Sequence, residues 1–174
     1  MKSYLAGLEC TFCGAKYAAE ELINVCKENT CGKVLFPIYD LQLIRKEIRR
    51  ETFANRPPNM WRYRELMPVI EESNIVSLGE GFTPLFRASN LGNKLGLENL
   101  FIKDESVNPT GSFKARGLSS AISKAKELGV NRITIPSAGN AGGATAAYGA
   151  VAQIETYVFM PKDSPSANKI ETIA

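Results

Sequence analysis

Histidine is absent from this chain of 174 residues. No histidine base, histidine-containing triad or histidine metal ligand can operate within it. Long apolar runs are missing as well, and none approaches the roughly 20 residues that a membrane-spanning helix needs. The first residues, Met1-Lys2-Ser3-Tyr4-Leu5-Ala6-Gly7, lack the apolar stretch of a secretion signal. No membrane partner is expected. Neither sign of charge dominates: 21 lysines and arginines face 18 acidic residues, a net charge of +3. The basic residues form no single block, so a nucleic-acid partner is not expected either. Cysteine is limited to four residues. Without a signal, they fit a cytoplasmic protein whose thiols stay reduced or bind a metal.

What is present reads as a soluble globular protein, 44% hydrophobic and 22% charged. The length allows one domain, or a small module followed by part of a larger one. Residues 1–40 read as such a module. Cys10-Thr11-Phe12-Cys13-Gly14 is a CxxC knuckle, and Cys26 and Cys31 form a second pair with four intervening residues. Two such tips can close a tetrahedron of thiolates, so Cys10, Cys13, Cys26 and Cys31 are the candidate ligands of a structural zinc. A module this small has little core, and a metal would supply much of its stability. Four free or buried thiols, or a knuckle without metal, are the alternatives. A redox CxxC is disfavoured because no βαβ pattern surrounds it.

Asp40 is placed to cap a helix from Leu41 to about Phe53, with an apolar stripe of Leu41, Ile44 and Ile48. Arg45, Lys46, Arg49 and Arg50 fill the remaining faces and read as solvated. Asn55-Arg56-Pro57-Pro58-Asn59 breaks the helix. The aromatic stretch from Trp61 to Pro68 reads as a connector packed onto the domain behind it. Residues 41–78 are thus a helical linker.

From residue 79 strands and helices alternate, which predicts a parallel-type α/β sheet with right-handed crossovers. Gly79-Glu80-Gly81-Phe82-Thr83-Pro84-Leu85 is a glycine turn entering a strand. Strand Leu100–Lys103 leads to Asn108-Pro109-Thr110-Gly111-Ser112-Phe113-Lys114-Ala115-Arg116-Gly117. Pro109 and Gly111 make a turn, and Thr110 or Ser112 can cap the following helix. The apolar face of that helix reads as Leu118, Ala121, Ile122, Ala125 and Leu128, and Gly129 suits its C-terminus. Lys114 therefore stands at a helix start, where the helix dipole disfavours a cation. Desolvation and positive potential favour a neutral amine, the form that makes a Schiff base. A second strand, Arg132–Pro136, runs into Ser137-Ala138-Gly139-Asn140-Ala141-Gly142-Gly143 and a helix of small residues. Small residues permit close approach of a ligand, and a helix N-terminus offers free N–H groups to an anion. A tight strand-helix turn with alanines for packing is the alternative. Tyr157–Met160 is a further strand, and Ser164-Pro165 is placed to cap a last helix.

The run PTGSFKARG, Pro109–Gly117, resembles the cofactor-lysine motif of the tryptophan-synthase-β-like (fold type II) pyridoxal-phosphate enzymes, and within them it is most similar to threonine synthases. The GEGFTPL stretch and the amino-terminal cysteine pairs, with Tyr39-Asp40 after them, are similar to that family too. The resemblance implies a three-layer α/β sandwich, incomplete here, with residues 79–174 as the N-terminal part of the catalytic domain behind a zinc-ribbon-like module. It implies Lys114 as the catalytic and cofactor-holding lysine, with Phe113 walling pyridoxal phosphate and Asn140 bonding its phenolic oxygen. Ser137 and the N–H groups of Gly139, Asn140 and Ala141 are implied to hold the carboxylate of an amino-acid substrate. The reaction implied is O-phospho-L-homoserine and water to L-threonine and phosphate, with a homodimer possible for the full-length enzyme.

In that family the glycine-rich phosphate loop lies further along, so the chain reads as an N-terminal portion, inactive by itself. Ala115 replaces an aspartate common in threonine synthases, and Ala138 and Ala141 replace threonines. These departures leave open a serine/threonine dehydratase or another β-elimination or β-replacement enzyme. The missing loop also leaves open a non-catalytic, zinc-ribbon-containing interaction fragment.

Overall fold

A computed structural model describes residues 3–173. The cysteine module is a three-stranded antiparallel sheet in the order β2-β1-β3, with β1 at Leu5–Cys10, β2 at Lys16–Tyr17 and β3 at Leu35–Tyr39. Register pairs Leu8 with Tyr17, Glu9 with Lys16, and Cys10 with Leu35. Glu9 and Lys16 are opposite charges on facing positions, a favourable cross-strand pair. The turn between β1 and β2 uses Gly14 at φ +74°.

Asp40 caps α1 (Leu41–Glu47), accepting a bond from the Leu43 amide at 2.8 Å. The helix is shorter than the pattern predicts. It ends at Ile48, which is extended, and a separate 3-10 turn covers Arg50–Phe53. Thr52 accepts a bond from the Arg49 amide at 3.3 Å and restarts the chain there. Arg45, Lys46, Arg49 and Arg50 would crowd like charges at helical spacing, which works against continuation.

Further 3-10 turns at Met60–Leu66 and Glu72–Asn74 carry the connector across the domain. Met60, Trp61 and Val69 are buried there, with Met67 and Ile75 against them. Arg56 and Glu65 form an ion pair of 2.6 Å between two nearly buried side chains. The aromatic connector is thus packed down, as its composition suggests.

The remaining elements are β4 (Leu85–Arg87), α2 (Ser89–Leu95), β5 (Phe101–Lys103), α3 (Lys114–Glu127), β6 (Arg132–Pro136), α4 (Asn140–Ala152), β7 (Glu155–Phe159) and α5 (Ser166–Ile170). The class is mixed α/β. β6 and β7 pair in parallel, with α4 as the crossover. The parallel sheet extends no further among the described residues. β4 and β5 pair antiparallel in a sheet of their own, contrary to the expected single parallel sheet. Residues 88–100, including α2, return the chain beside β4 in the opposite direction, so β5 cannot run parallel to it. α3 ends as predicted. Gly129, at φ +70°, donates to Lys126 O, and Val130 donates to Ala125 O, the paired closure of a helix C-terminus. The Ser164 hydroxyl does not cap α5, since that helix start has no side-chain cap bond.

The core gathers Val76, Ala115, Ile122, Tyr148 and Ile154 between α3 and α4. The buried face of α3 is Ala115, Ser119, Ile122 and Ser123, rotated from the stripe read in the sequence, and Ala121 is exposed. The two serines face one backbone segment: Ser119 Oγ lies 2.8 Å from Val76 O, an alternative acceptor to Glu80 for its single hydrogen, and Ser123 accepts from Val76 N at 2.8 Å. On α4 the glycines serve packing. A Cβ on Gly149 would lie 2.2 Å from Thr156 Oγ1, so α4 sits on β7 closer than a side chain allows. No helix among the described residues is long and apolar enough to cross a membrane.

Candidate active site

Lys114 is the first residue of α3. Topology sets its surroundings. β6 and β7 start side by side, joined by Glu155 N donating to Asn131 O at 3.0 Å. α3 ends just before β6 and α4 just before β7, and the two helices pack together. They therefore run in the same direction, with Lys114 and Asn140 at the starts of neighbouring helices.

Two hydrogen-bond networks fix the lysine helix. The first is centred on Glu105, whose carboxylate holds Arg116 through two bonds of 2.7 and 2.8 Å. It also receives Thr83 Oγ1 at 2.5 Å and Asn108 Nδ2 at 2.9 Å. Asn108 Oδ1 in turn accepts from Gly81 N at 3.0 Å. The Arg116 guanidinium, helped by Thr83 and Asn108, lowers the Glu105 carboxyl to about 2. This network joins both ends of the Asn108–Gly117 run to the GEGFTPL stretch.

The second is centred on Glu80, which is fully buried. Trp61 Nε1 (2.9 Å), Ser119 Oγ (2.5 Å), Tyr148 Oη (2.7 Å) and the Leu78 amide (2.9 Å) all donate to its carboxylate. Burial alone would raise the Glu80 pKa, but the Ser119 and Tyr148 bonds outweigh it and the net direction is down. One carboxylate thus ties together the connector, α3 and α4. Sequence reading passed over Glu80 as part of a glycine turn. The available signal was a pair of serines at core spacing on α3, because buried hydroxyls demand partners.

Around Lys114 the chain is open. Its side chain is half-buried, and Nζ lies 4.8 Å from the centroid of the Phe113 ring. Phe113 is 58% exposed. Neither Thr110 nor Ser112 caps α3: the N-cap position is Phe113, with no side-chain cap bond, and Ser112, one residue earlier, only accepts from the Lys114 amide at 3.3 Å. Asn140 is exposed, and Ala141 is half-buried. Ser137 Oγ accepts from the amides of Gly139 (3.3 Å) and Gly142 (3.0 Å) and so folds the loop on itself. The amides of Asn140 and Ala141 open α4, where no preceding turn supplies a helical acceptor.

The four cysteines converge at the other end of the chain. Their sulfurs all lie within 4.8 Å of one another, with Cys10–Cys31 at 3.7 Å and Cys13–Cys26 at 3.5 Å. No disulfide joins them. Tetrahedral zinc with thiolate bonds near 2.3 Å requires sulfur separations of about 3.8 Å, so the spacing suits such an ion. The amides of Cys13 and Phe12 point at the Cys10 sulfur and lower that thiol to about 6. Cys13 goes the other way, up to about 12: the Ala15 amide lowers it, but the Cys26 sulfur, burial and the other thiols outweigh that. Thiolates packed this closely repel, and a cation would relieve the repulsion.

A lysine and an asparagine thus open adjoining helices. Residues 76–174 match the family model described as pyridoxal-phosphate dependent enzyme, and the chain belongs to that family. Its relatives are more particular. It is 40% identical over 161 residues to the threonine synthase of Methanocaldococcus jannaschii, covering 92% of this chain and 39% of that protein. It is 39% identical over 163 residues to the threonine synthase of Methanosarcina acetivorans, covering 94% and 39%. The chain thus spans about two fifths of the length of these curated relatives. Among solved structures it is similar to a pyridoxal 5'-phosphate-dependent aspartate racemase, with a TM-score of 0.49 and 30% identity over 52% of this chain and 29% of that one. The residues present fit the family's cofactor: an accessible amine at Lys114, an open aromatic face at Phe113 and an exposed amide at Asn140.

Proposed function

We propose that this chain is the lysine-bearing N-terminal part of a threonine synthase, converting O-phospho-L-homoserine and water to L-threonine and phosphate. The observation that carries this reading is the 40% identity to a threonine synthase across 92% of the chain. Within it, residues 1–40 are the metal-binding module, 41–78 the linker and 79–174 the first part of the catalytic domain. The reading takes the enzyme as cytoplasmic and homodimeric, checked by cell fractionation and light scattering.

Pyridoxal phosphate, when bound, supplies the electron sink for charge developing at substrate carbons. Lys114 would hold it through its amine and, once released, move protons at the substrate α- and β-carbons. Phe113 would flank the ring, and the Asn140 amide would donate to its phenolic oxygen. Ser137 and the amides of Gly139, Asn140 and Ala141 would hold the substrate carboxylate. The Gly139 amide already serves Ser137 Oγ, so Asn140 and Ala141 are the readier donors. Cys10, Cys13, Cys26 and Cys31 would bind one structural zinc, a reading supported by their sulfur spacing.

The test uses the complete protein with added pyridoxal phosphate. Phosphate release matched by L-threonine, lost in Lys114→Ala, supports the reading, as does borohydride trapping of the cofactor on Lys114. Trapping on another lysine overturns the site. Formation of a 2-oxo acid from serine or threonine, with no phosphate release from O-phospho-L-homoserine, replaces the reading with a dehydratase. No cofactor binding leaves the non-catalytic alternative. Residues 1–174 expressed alone should give no turnover, because they cover only two fifths of the relatives' length.

A further inference from the structure

We propose that Tyr17 is a positioning residue of the cysteine cluster: its hydroxyl donates to the Cys26 sulfur and braces that thiolate for a tetrahedral metal ion. The inference rests on reading the four cysteines as a metal site, and its test separates the two.

The sheet brings Tyr17 to the cluster. Tyr17 pairs with Leu8 on β1, and Cys10 lies two residues beyond Leu8. Strand side chains alternate, so Tyr17 and Cys10 share a face. Tyr17 Oη lies 3.2 Å from Cys26 Sγ. The backbone amide of Lys27 donates to the same oxygen at 2.9 Å. That amide fills an acceptor site on the hydroxyl and leaves its hydrogen for the sulfur. With Cys26 as the thiolate that a metal requires, the sulfur has no hydrogen to give, so the bond runs O–H to S and favours the negatively charged sulfur. Apart from the cysteines themselves, Tyr17 is the only side chain among the described residues bonded to any of the four sulfurs. The nearby Lys27 ammonium is engaged instead by Glu21, at 3.3 Å.

The two cysteine loops differ in their need for such a brace. Both loops close on their own backbone, Gly14 N on Cys10 O and Gly32 N on Cys26 O, each at 3.2 Å. In the first the Phe12 amide also turns to Cys10 Sγ at 3.4 Å, whereas among the described residues Cys26 Sγ has Tyr17 in that role. The Cys26–Cys31 loop is two residues longer and passes through Asn29 and Thr30 at φ +40° and +63°. Such left-handed conformations cost non-glycine residues energy and persist only where the surroundings hold them. Tyr17 holds this loop at its first two residues, one through sulfur and one through backbone.

The experiment measures zinc affinity and cobalt(II) spectra of the complete protein as wild type, Tyr17→Phe and Lys27→Ala. Partners of metal ligands tune affinity by about 10–100-fold. Tyr17→Phe keeps the ring and should weaken zinc within that range against a chromophoric chelator. It should also shift the sulfur-to-cobalt charge-transfer band, which loss of packing alone would not do. Lys27→Ala keeps the amide and should match wild type in both readouts. If wild type shows tetrahedral thiolate–cobalt bands and Tyr17→Phe is identical to it, the proposal is overturned and the metal reading stands. If wild type shows no such bands, both fall. Should Tyr17→Phe fail to fold, cadmium-loaded wild type decides. Scalar coupling between the Tyr17 hydroxyl proton and the metal supports the proposal, and its absence overturns it.

Discussion

Replacing Glu80 by alanine removes the carboxylate on which four donors converge, and the cost can be worked from their other options. Trp61 Nε1 keeps a second acceptor, Ser119 Oγ at 2.9 Å. The Ser119 hydroxyl keeps Val76 O at 2.8 Å. The Leu78 amide and the Tyr148 hydroxyl have no second acceptor among the described residues. Tyr148 is fully buried and its hydroxyl is left unpaired at about 1–3 kcal/mol, whereas Leu78 is 41% exposed and its amide can turn to water, so a loss near ~2 kcal/mol is expected. For a chain of this size that corresponds to a fall of about 4–8 °C in thermal midpoint. Glutamine should be milder, at under about 1 kcal/mol, because it keeps one acceptor oxygen for Tyr148. With that oxygen facing Leu78 and Tyr148, its amide nitrogen can donate to Ser119 Oγ. Circular dichroism melts of wild type, Glu80→Ala and Glu80→Gln give the comparison. Equal losses for alanine and glutamine, or an alanine shift of only a degree or two, would refute the claim that Glu80 ties α3 and α4 to the connector.

Acid stability should carry the signature of Glu105. Its folded pKa, about 2, lies below the unfolded value of about 4.3, so its contribution is fully present above that value and fades as pH falls towards 2. Urea midpoints measured across this window should fall more steeply for wild type than for Glu105→Gln. Gly81→Ala combines φ +98° with a Cβ 2.6 Å from Met60 N, which is backbone and cannot rotate away. It should destabilise the chain by about 2 kcal/mol or more, read by the same melts. Metal analysis of reduced protein should find one zinc per chain, and chelation should lower the melting temperature of the cysteine module. Cys10→Ser or Cys26→Ser should do the same without a chelator.

The parts legible in the sequence are those that close over a few residues. Asp40 capping α1, Gly129 ending α3 and the CxxC tip need only near neighbours, and the pattern shows them directly. The lysine and asparagine helices were legible for the same reason, since each follows its own turn. Features decided by distant partners escaped. The stripe Leu118, Ala121, Ile122, Ala125, Leu128 is a sound apolar face for an isolated helix. α3 nevertheless buries Ser119 and Ser123, because the Val76 backbone and Glu80 satisfy their hydroxyls. The antiparallel pairing of β4 with β5 depends on how α2 folds back, which no two-residue alternation encodes. Glu80 is the sharpest case. A carboxylate between two glycines reads as solvent-exposed turn by every local rule. Its burial becomes favourable only once a tryptophan, a serine, a tyrosine and an amide from four separate stretches meet there. Gly81 makes this possible, since any side chain at that position would push Met60 away and open the network to water. The glycine and the buried acid are therefore one device, and each substitution above tests half of it.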